Sequence, residues 1–162
     1  MKKNIIAVSG THGTGKTTLA LSLAVEFKKN HPKQTVGVLT ENAIDCPFPL
    51  NKDSTLLGTV LWLITNQFQR ELEASLKYDI VVSDRCVLDP IAYGVVLFGQ
   101  NDVTRGMIQA AENYYGEAYA EIRFQHMATN DYCFVDGLRD VDHDFRNKVE
   151  EELLRLHKLM TK

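Results

Sequence analysis

The sequence predicts an α/β fold: a mainly parallel sheet of about four to five strands, flanked by helices in three layers. Three observations carry this expectation. Short apolar runs alternate with amphipathic helical stretches, the pattern of strands joined by helical crossovers. The 162 residues fit one domain, at roughly 150 residues per domain, so 1–162 reads as a single unit with no linker and no repeat. A balance of 44% apolar and 24% charged residues suits a buried core and excludes a disordered chain.

The elements follow in order. Asn4 to Ser9, NIIAVS, is a short buried strand that stops at Gly10. Leu19, Ala20, Leu23, Ala24 and Phe27 fall at helical spacing between Lys16 and about Asn30. His31-Pro32 ends that helix, because proline disfavours a helical residue before it. Thr35 to Thr40 is a second strand, followed by the proline-rich loop Cys46-Pro47-Phe48-Pro49-Leu50. Asp53 is expected to cap a helix reaching about Leu76, with Val60, Ile64, Phe68 and Leu72 on one face. Tyr78 to Ser83 is a third strand, and Asp89-Pro90 opens a short helix. Asp102 is expected to cap another helix through Met107, Ala111 and Tyr114, with Gly116 leaving its continuation to about Ala128 open. Tyr132 to Val135 is the expected fourth strand. Phe145, Val149, Leu153, Leu156 and Met160 form the stripe of a last helix starting at Asp142.

Charge and cysteine content narrow the function. Eighteen basic against twenty-one acidic residues give −3, which argues against duplex binding by bulk charge. The longest apolar runs fall far short of the roughly 18 residues of a membrane span, and the N-terminal run is too short for a signal peptide. Cys46, Cys86 and Cys133 are scattered, as reduced thiols of a cytoplasmic protein are. Asp142-His143-Asp144 reads as a solvated helix start, and nothing in the sequence has zinc spacing.

Gly10 to Thr17 reads GTHGTGKT, a GxxxxGKT motif between a strand and a helix. Such glycines let successive backbone N–H groups face phosphate oxygens, and the following helix adds its positive end. This predicts the three-layer P-loop NTPase fold, with ATP and Mg²⁺ as cofactors. Gly10, Thr11, His12, Gly13, Thr14, Gly15, Lys16, Thr17 and Thr18 form the nucleotide site. Lys16 would reach the β- and γ-phosphates, and the Thr17 hydroxyl would ligate Mg²⁺. His12 is expected to be a solvent-facing spacer. Asp84, at the carboxyl end of the third strand, is the second metal ligand, and Arg85 beside it neutralises phosphate charge. A GTPase is excluded: Asn51-Lys52-Asp53-Ser54 departs from NKxD. A motor-type ATPase would carry an acidic pair where Asp84-Arg85 stands, and a lid domain for which 162 residues leave no space.

These residues resemble the nucleoside and nucleotide kinase group of P-loop proteins. Within it they are similar to small AAA-type ATP-binding proteins related to the ribosylnicotinamide kinase domain. The resemblance runs from Asn4 to about Leu156. It includes Glu41, Cys46-Pro47-Phe48-Pro49, Asn51, Leu61-Trp62-Leu63, Asp84-Arg85 with Asp89 and Tyr93, and Asp136-Gly137-Leu138-Arg139. Two features depart from the family pattern. Ile44 or Asp45 holds the place of an arginine, so this loop lacks a cation for an anionic acceptor. No strand-like run follows the last helix, which leaves a minimal sheet or a second chain, such as a homodimer partner.

The resemblance implies a phosphotransferase. Glu41, at the end of the second strand, would be general base or holder of the acceptor hydroxyl. Arg85 would contact the acceptor or the transferring phosphate. Asp89 would hold an acceptor hydroxyl or cap the next helix. Arg139 would belong to a lid at about 136–146, with Arg146 as its substitute. Phe48 and Tyr93 offer faces for an acceptor base. The expected function is an ATP- and Mg²⁺-dependent kinase of a nucleoside, nucleotide or related ribosyl small molecule. Two alternatives stand beside it: a kinase of a hydroxymethylated base in DNA, using Lys28, Lys29, Lys33 and Lys52 as a groove, and a nucleotide-sensing ATPase that acts on a partner.

Overall fold

Four parallel strands form one sheet in the computed structural model, which describes residues 2–132 and 142–161. The chain runs β1 (Ile5–Ser9), α1 (Lys16–Asn30), β2 (Val36–Leu39), α2 (Leu57–Lys77), β3 (Ile80–Asp84) and α3 (Leu88–Phe98). It continues with α4 (Asp102–Ala118), β4 (Tyr119–Phe124) and α5 (His143–Met160). The strand order is β2-β3-β1-β4. Ile5 pairs with Val81, Val36 with Ile80, and Ile6 with Glu121.

Alternation along the strands builds the three layers. Val8 and Val82 face α1 and pack against Ala20, Leu23 and Ala24. Ile5, Ala7 and Val81 face the other way, into a larger core from α2 to α5 that holds Val60, Ile91, Ala111, Val149 and Leu153. The chain leaving β1 covers one face as α1, and the chain leaving β3 covers the other as α3. Their carboxyl ends therefore diverge at a topological switch point, where parallel sheets bind ligands.

Several element expectations change. The fourth strand is Tyr119–Phe124, beside β1, and not Tyr132–Val135. Tyr132 has no strand geometry, and 133–135 lie outside the described residues. Helix α4 runs straight through Gly116, whose position opens to solvent with nothing for a Cβ to meet. An exposed glycine there costs about 1 kcal/mol, too little to end a packed helix. Asp53 is not a cap: α2 begins at Leu57, and the Leu56 N–H donates to the Thr59 hydroxyl. Asp102 is already helical; Asn101 caps α4 by accepting from the N–H groups of Val103 and Thr104. The last helix begins where expected, with Asp142 as its cap, accepting from the N–H groups of Asp144 and Phe145.

Candidate active site

The phosphate loop leaves β1 at Gly10, where φ is 148°. A Cβ there would lie 2.5 Å from the Gln125 carbonyl oxygen, so only glycine lets the loop pass under the segment after β4. Gly13 and Gly15 are both left-handed at φ 76°, and Gly15 leads directly into α1. Thr14 donates its hydroxyl to the Thr11 carbonyl at 2.8 Å, and Lys16 donates Nζ to the same oxygen at 2.6 Å. Lys16 is buried. Burial first, and the nearby Arg85 cation second, lower its pKa to about 7.

Thr17 and Asp84 meet as expected: the Thr17 hydroxyl donates to Asp84 Oδ2 at 2.5 Å. Asp84 Oδ1 is buried without a hydrogen-bond partner among the described residues. Burial pushes the Asp84 carboxyl above its usual range, against the pull of Arg85 and Thr17. An unsatisfied carboxylate oxygen beside a hydroxyl fits Mg²⁺, which takes one or two protein oxygens and completes its shell with phosphate and water. No larger cluster of His, Cys, Asp and Glu with metal-binding geometry exists among the described residues.

Arg85 follows β3 in a left-handed conformation, φ 96°, rare for a residue with a side chain. Its amide donates to the Val8 carbonyl at 2.9 Å, and its carbonyl accepts from Gln67 Nε2 at 3.3 Å. The guanidinium is thereby turned onto Glu41, donating from Nε at 2.9 Å and also from Nη2. Nη1 lies 3.6 Å from Asp89 Oδ1. Burial opposes the charge, but Glu41 and the other nearby acidic groups outweigh it and hold Arg85 above its usual range. Asp89 is fully buried and accepts from the amides of Gly10 and Cys86. It ties the loop to α3 instead of facing a ligand.

Two cavities meet here. One is lined by Gly13 to Thr18 together with Gln125, Asn130 and Tyr132. The other, largely apolar, is lined by Ile44, Leu50, Val60, Leu63, Leu97 and Phe145, with His12, Asn42, Arg85 and Tyr93 as polar members. Glu41 lines both.

His12 corrects its expectation: it is 4% exposed and faces the apolar cavity, not solvent. Its Nδ1 lies 2.7 Å from the Tyr93 hydroxyl, which also accepts from the His12 amide. Burial raises the Tyr93 pKa. Phe48 is exposed and lines neither cavity. Arg139 and most of the 136–146 segment lie outside the described residues. Arg146 is 2% exposed and donates to the His12 carbonyl and to Asp131. Lys28 is spent on the carbonyls of Pro32 and Gln34, and Lys52 pairs with Asp142.

Sequence reasoning missed the polar support behind Arg85. Gln67 and Glu71 lie on the buried stripe of α2. Gln67 Nε2 donates to Glu71, Ser83 and the Arg85 carbonyl. Glu71 accepts from the hydroxyls of Tyr114 and Tyr119 at 2.9 and 2.8 Å. Burial raises its pKa to about 7, against these hydrogen bonds. Two polar residues at i and i+4 within an apolar stripe were the available signal.

Fold and phosphate loop define a P-loop protein with a three-layer α/β sheet. The chain belongs to the AAA domain family, whose model matches residues 5–159. No curated protein matches the sequence. Among solved structures it is similar to thymidylate kinase from Ehrlichia chaffeensis at 18% identity and TM-score 0.64, covering 98% of this chain and 83% of that one. It is also similar to deoxyadenosine kinase from M. mycoides with bound dATP, at 15% identity and TM-score 0.62, covering 96% and 84%. A second structure of that enzyme, with dCMP and dCDP bound, matches at 14% identity and TM-score 0.64, covering 97% and 84%.

Proposed function

We propose that the protein is an ATP- and Mg²⁺-dependent kinase of a hydroxyl on a nucleoside, nucleotide or related ribosyl small molecule. One observation carries this reading: Glu41, ion-paired with Arg85, lines both the phosphate-loop cavity and the apolar cavity beside it. A carboxylate at that junction stands where an acceptor hydroxyl would meet a γ-phosphate. The names of the structural neighbours, a thymidylate kinase and a deoxyadenosine kinase, support phosphoryl transfer to a nucleotide or a nucleoside, the second name alone matching a hydroxyl acceptor.

Phosphoryl transfer asks the protein for positioning and charge stabilisation rather than covalent chemistry. The Gly10–Thr17 amides and Lys16 would hold the ATP phosphates, with Lys16 supplying charge toward the β- and γ-oxygens. Thr17 and Asp84 are the residues that would hold Mg²⁺, which when bound draws off charge building on the phosphates. The acceptor hydroxyl donates to Glu41. As its oxygen bonds to the γ-phosphorus, the bond to the β,γ-bridging oxygen breaks and ADP leaves. Glu41 takes the hydroxyl proton. Arg85 orients Glu41 and offsets charge on the moving phosphoryl group.

Glu41→Gln tests the assignment. It is expected to lower kcat by 10²-fold or more while ATP affinity changes less than about threefold. An equal loss of both would make Glu41 a structural residue.

A further inference from the structure

The turn that aims Arg85 is held from behind. Asp84 ends β3, and side chains alternate between faces along a strand. An extended Arg85 would therefore share the face of Ser83, which meets Gln67 of α2, and not that of Asp84, which meets Thr17. The chain escapes this by turning left-handed at Arg85, the one residue other than glycine with a positive φ among the described residues. Such a conformation persists only where the surroundings over-determine it.

The surroundings grip the turn at two further points. Gln67 Nε2 donates to the Arg85 carbonyl at 3.3 Å, and the Val87 amide donates to the Tyr119 hydroxyl at 2.9 Å. Both grips rest on Glu71. One of its oxygens accepts from Gln67 Nε2 at 2.8 Å, and the other accepts from the Tyr119 hydroxyl at 2.8 Å and from the Tyr114 hydroxyl. A carboxylate only accepts, so it fixes the direction of its partners. It draws the NH₂ end of the Gln67 amide toward itself, which leaves the second hydrogen of that group for Ser83 and the Arg85 carbonyl. It takes the Tyr119 proton, which leaves that oxygen's lone pairs to the Val87 amide.

Gln67 is 3% exposed and Glu71 is fully buried. Replacing buried charged groups by apolar ones of similar volume is often neutral or stabilising, so packing alone does not account for this network. We propose that Gln67 and Glu71 are positioning residues, a buried relay that holds residues 85–87 in the turn placing the Arg85 guanidinium on Glu41. Neither residue lines a cavity. They act through Arg85, which donates from Nε to Glu41 at 2.9 Å. The catalytic meaning of that placement rests on the kinase reading above; the placement itself does not.

The test reads Arg85 directly. Its Nε–H gives an NMR signal, assigned by its loss in Arg85→Lys, and exchange of that hydrogen with water reports how firmly the guanidinium is held. Gln67→Met keeps the volume and removes the amide. At pH 8, above the Glu71 pKa of about 7, this variant is expected to exchange the Arg85 Nε–H at least about tenfold faster, with the rate at buried Arg146 unchanged. Glu71→Gln, nearly isosteric, is expected to accelerate the same exchange at least about threefold, and it decides alone if Gln67→Met does not fold. An unchanged Arg85 rate, or equal acceleration at Arg146, overturns the proposal.

Activity supplies a second readout, with ATP, Mg²⁺ and the common nucleosides and their 5′-monophosphates as acceptors. Gln67→Met is expected to lower kcat at least about tenfold while ATP affinity changes less than about threefold. In an Arg85→Ala background the same substitution is expected to cost less than about twofold more, because the residue it acts through is gone. An additive loss would overturn the relay. No transfer by the native protein to any of these acceptors would count against the kinase reading, and the Arg85 signal would still decide the positioning.

Discussion

Lys16 must be a cation to hold phosphate, yet the folded protein disfavours its charge. Its Nζ is buried against the Thr11 carbonyl and near Arg85, and its pKa falls to about 7. ATP phosphates reverse this by placing negative charge within contact distance, which raises the bound-state pKa. Binding above pH 7 must therefore take up a proton. With a pKa of about 7, roughly one lysine in ten is charged at pH 8 and about nine in ten at pH 6. Binding then takes up about 0.9 proton at pH 8. Lys16 contributes only about 0.1 at pH 6. Affinity weakens about fivefold from pH 7 to 8 and nearly tenfold for each further pH unit, until the bound-state pKa is reached. The assay is calorimetry of a non-hydrolysable ATP analogue without Mg²⁺, at pH 8, in buffers of different ionisation enthalpy. ATP's own terminal ionisation, near pH 6, is complete there. Lys16→Arg serves as the comparison, because a guanidinium stays charged and removes the uptake. Uptake below about 0.2 proton in the native protein, or equal uptake in Lys16→Arg, would refute the reasoning.

Three further outcomes follow from the same structure. Asp84→Asn removes the buried carboxylate charge beside Thr17, and the gain in ATP affinity on adding Mg²⁺ is expected to shrink at least tenfold in a fluorescence titration. Glu71, held near pKa 7 by burial against 4.5 in the unfolded chain, stabilises the fold fully below about pH 4.5. That contribution is lost as pH rises through 7. Denaturant unfolding should therefore show native stability falling by about 3 kcal/mol relative to Glu71→Gln between those limits. Leu153 is completely buried in the larger core, and Leu153→Ala is expected to cost about 2–5 kcal/mol with no change in ATP affinity once folded.

What could be read from sequence was what local chemistry dictates. The run Asn4–Ser9, the glycine spacing and the Lys16 helix give β1, the loop and α1 without tertiary help. Gly116 leaves open a continuation of the helix to about Ala128, whereas the helix stops at Ala118, and this hides strand β4. Its own residues, Glu121 and Arg123 alternating with Ile122 and Phe124, resemble a half-solvated turn segment as much as an edge strand. The side chains of the site depended on contacts distant in sequence. His12 is drawn inward by Tyr93, 81 residues away. Arg85 adopts φ 96° only because Val8 and Gln67 fix its two peptide groups. No local pattern encodes that turn, although Asp84-Arg85 marked the right position. Phe48 shows the converse: an aromatic beside prolines looked like a ligand face, but the loop carries it outward.

The most direct test of the central claim is an acceptor screen. The protein is incubated with ATP and Mg²⁺ against nucleosides, deoxynucleotides, nicotinamide riboside and DNA carrying hydroxymethyluracil, and products are weighed by mass spectrometry. The account predicts that a small-molecule acceptor gains one phosphate, that ADP appears in equal amount, and that Lys16→Ala and Glu41→Gln abolish the product. ATP binding with no phosphorylated acceptor in any class would contradict it.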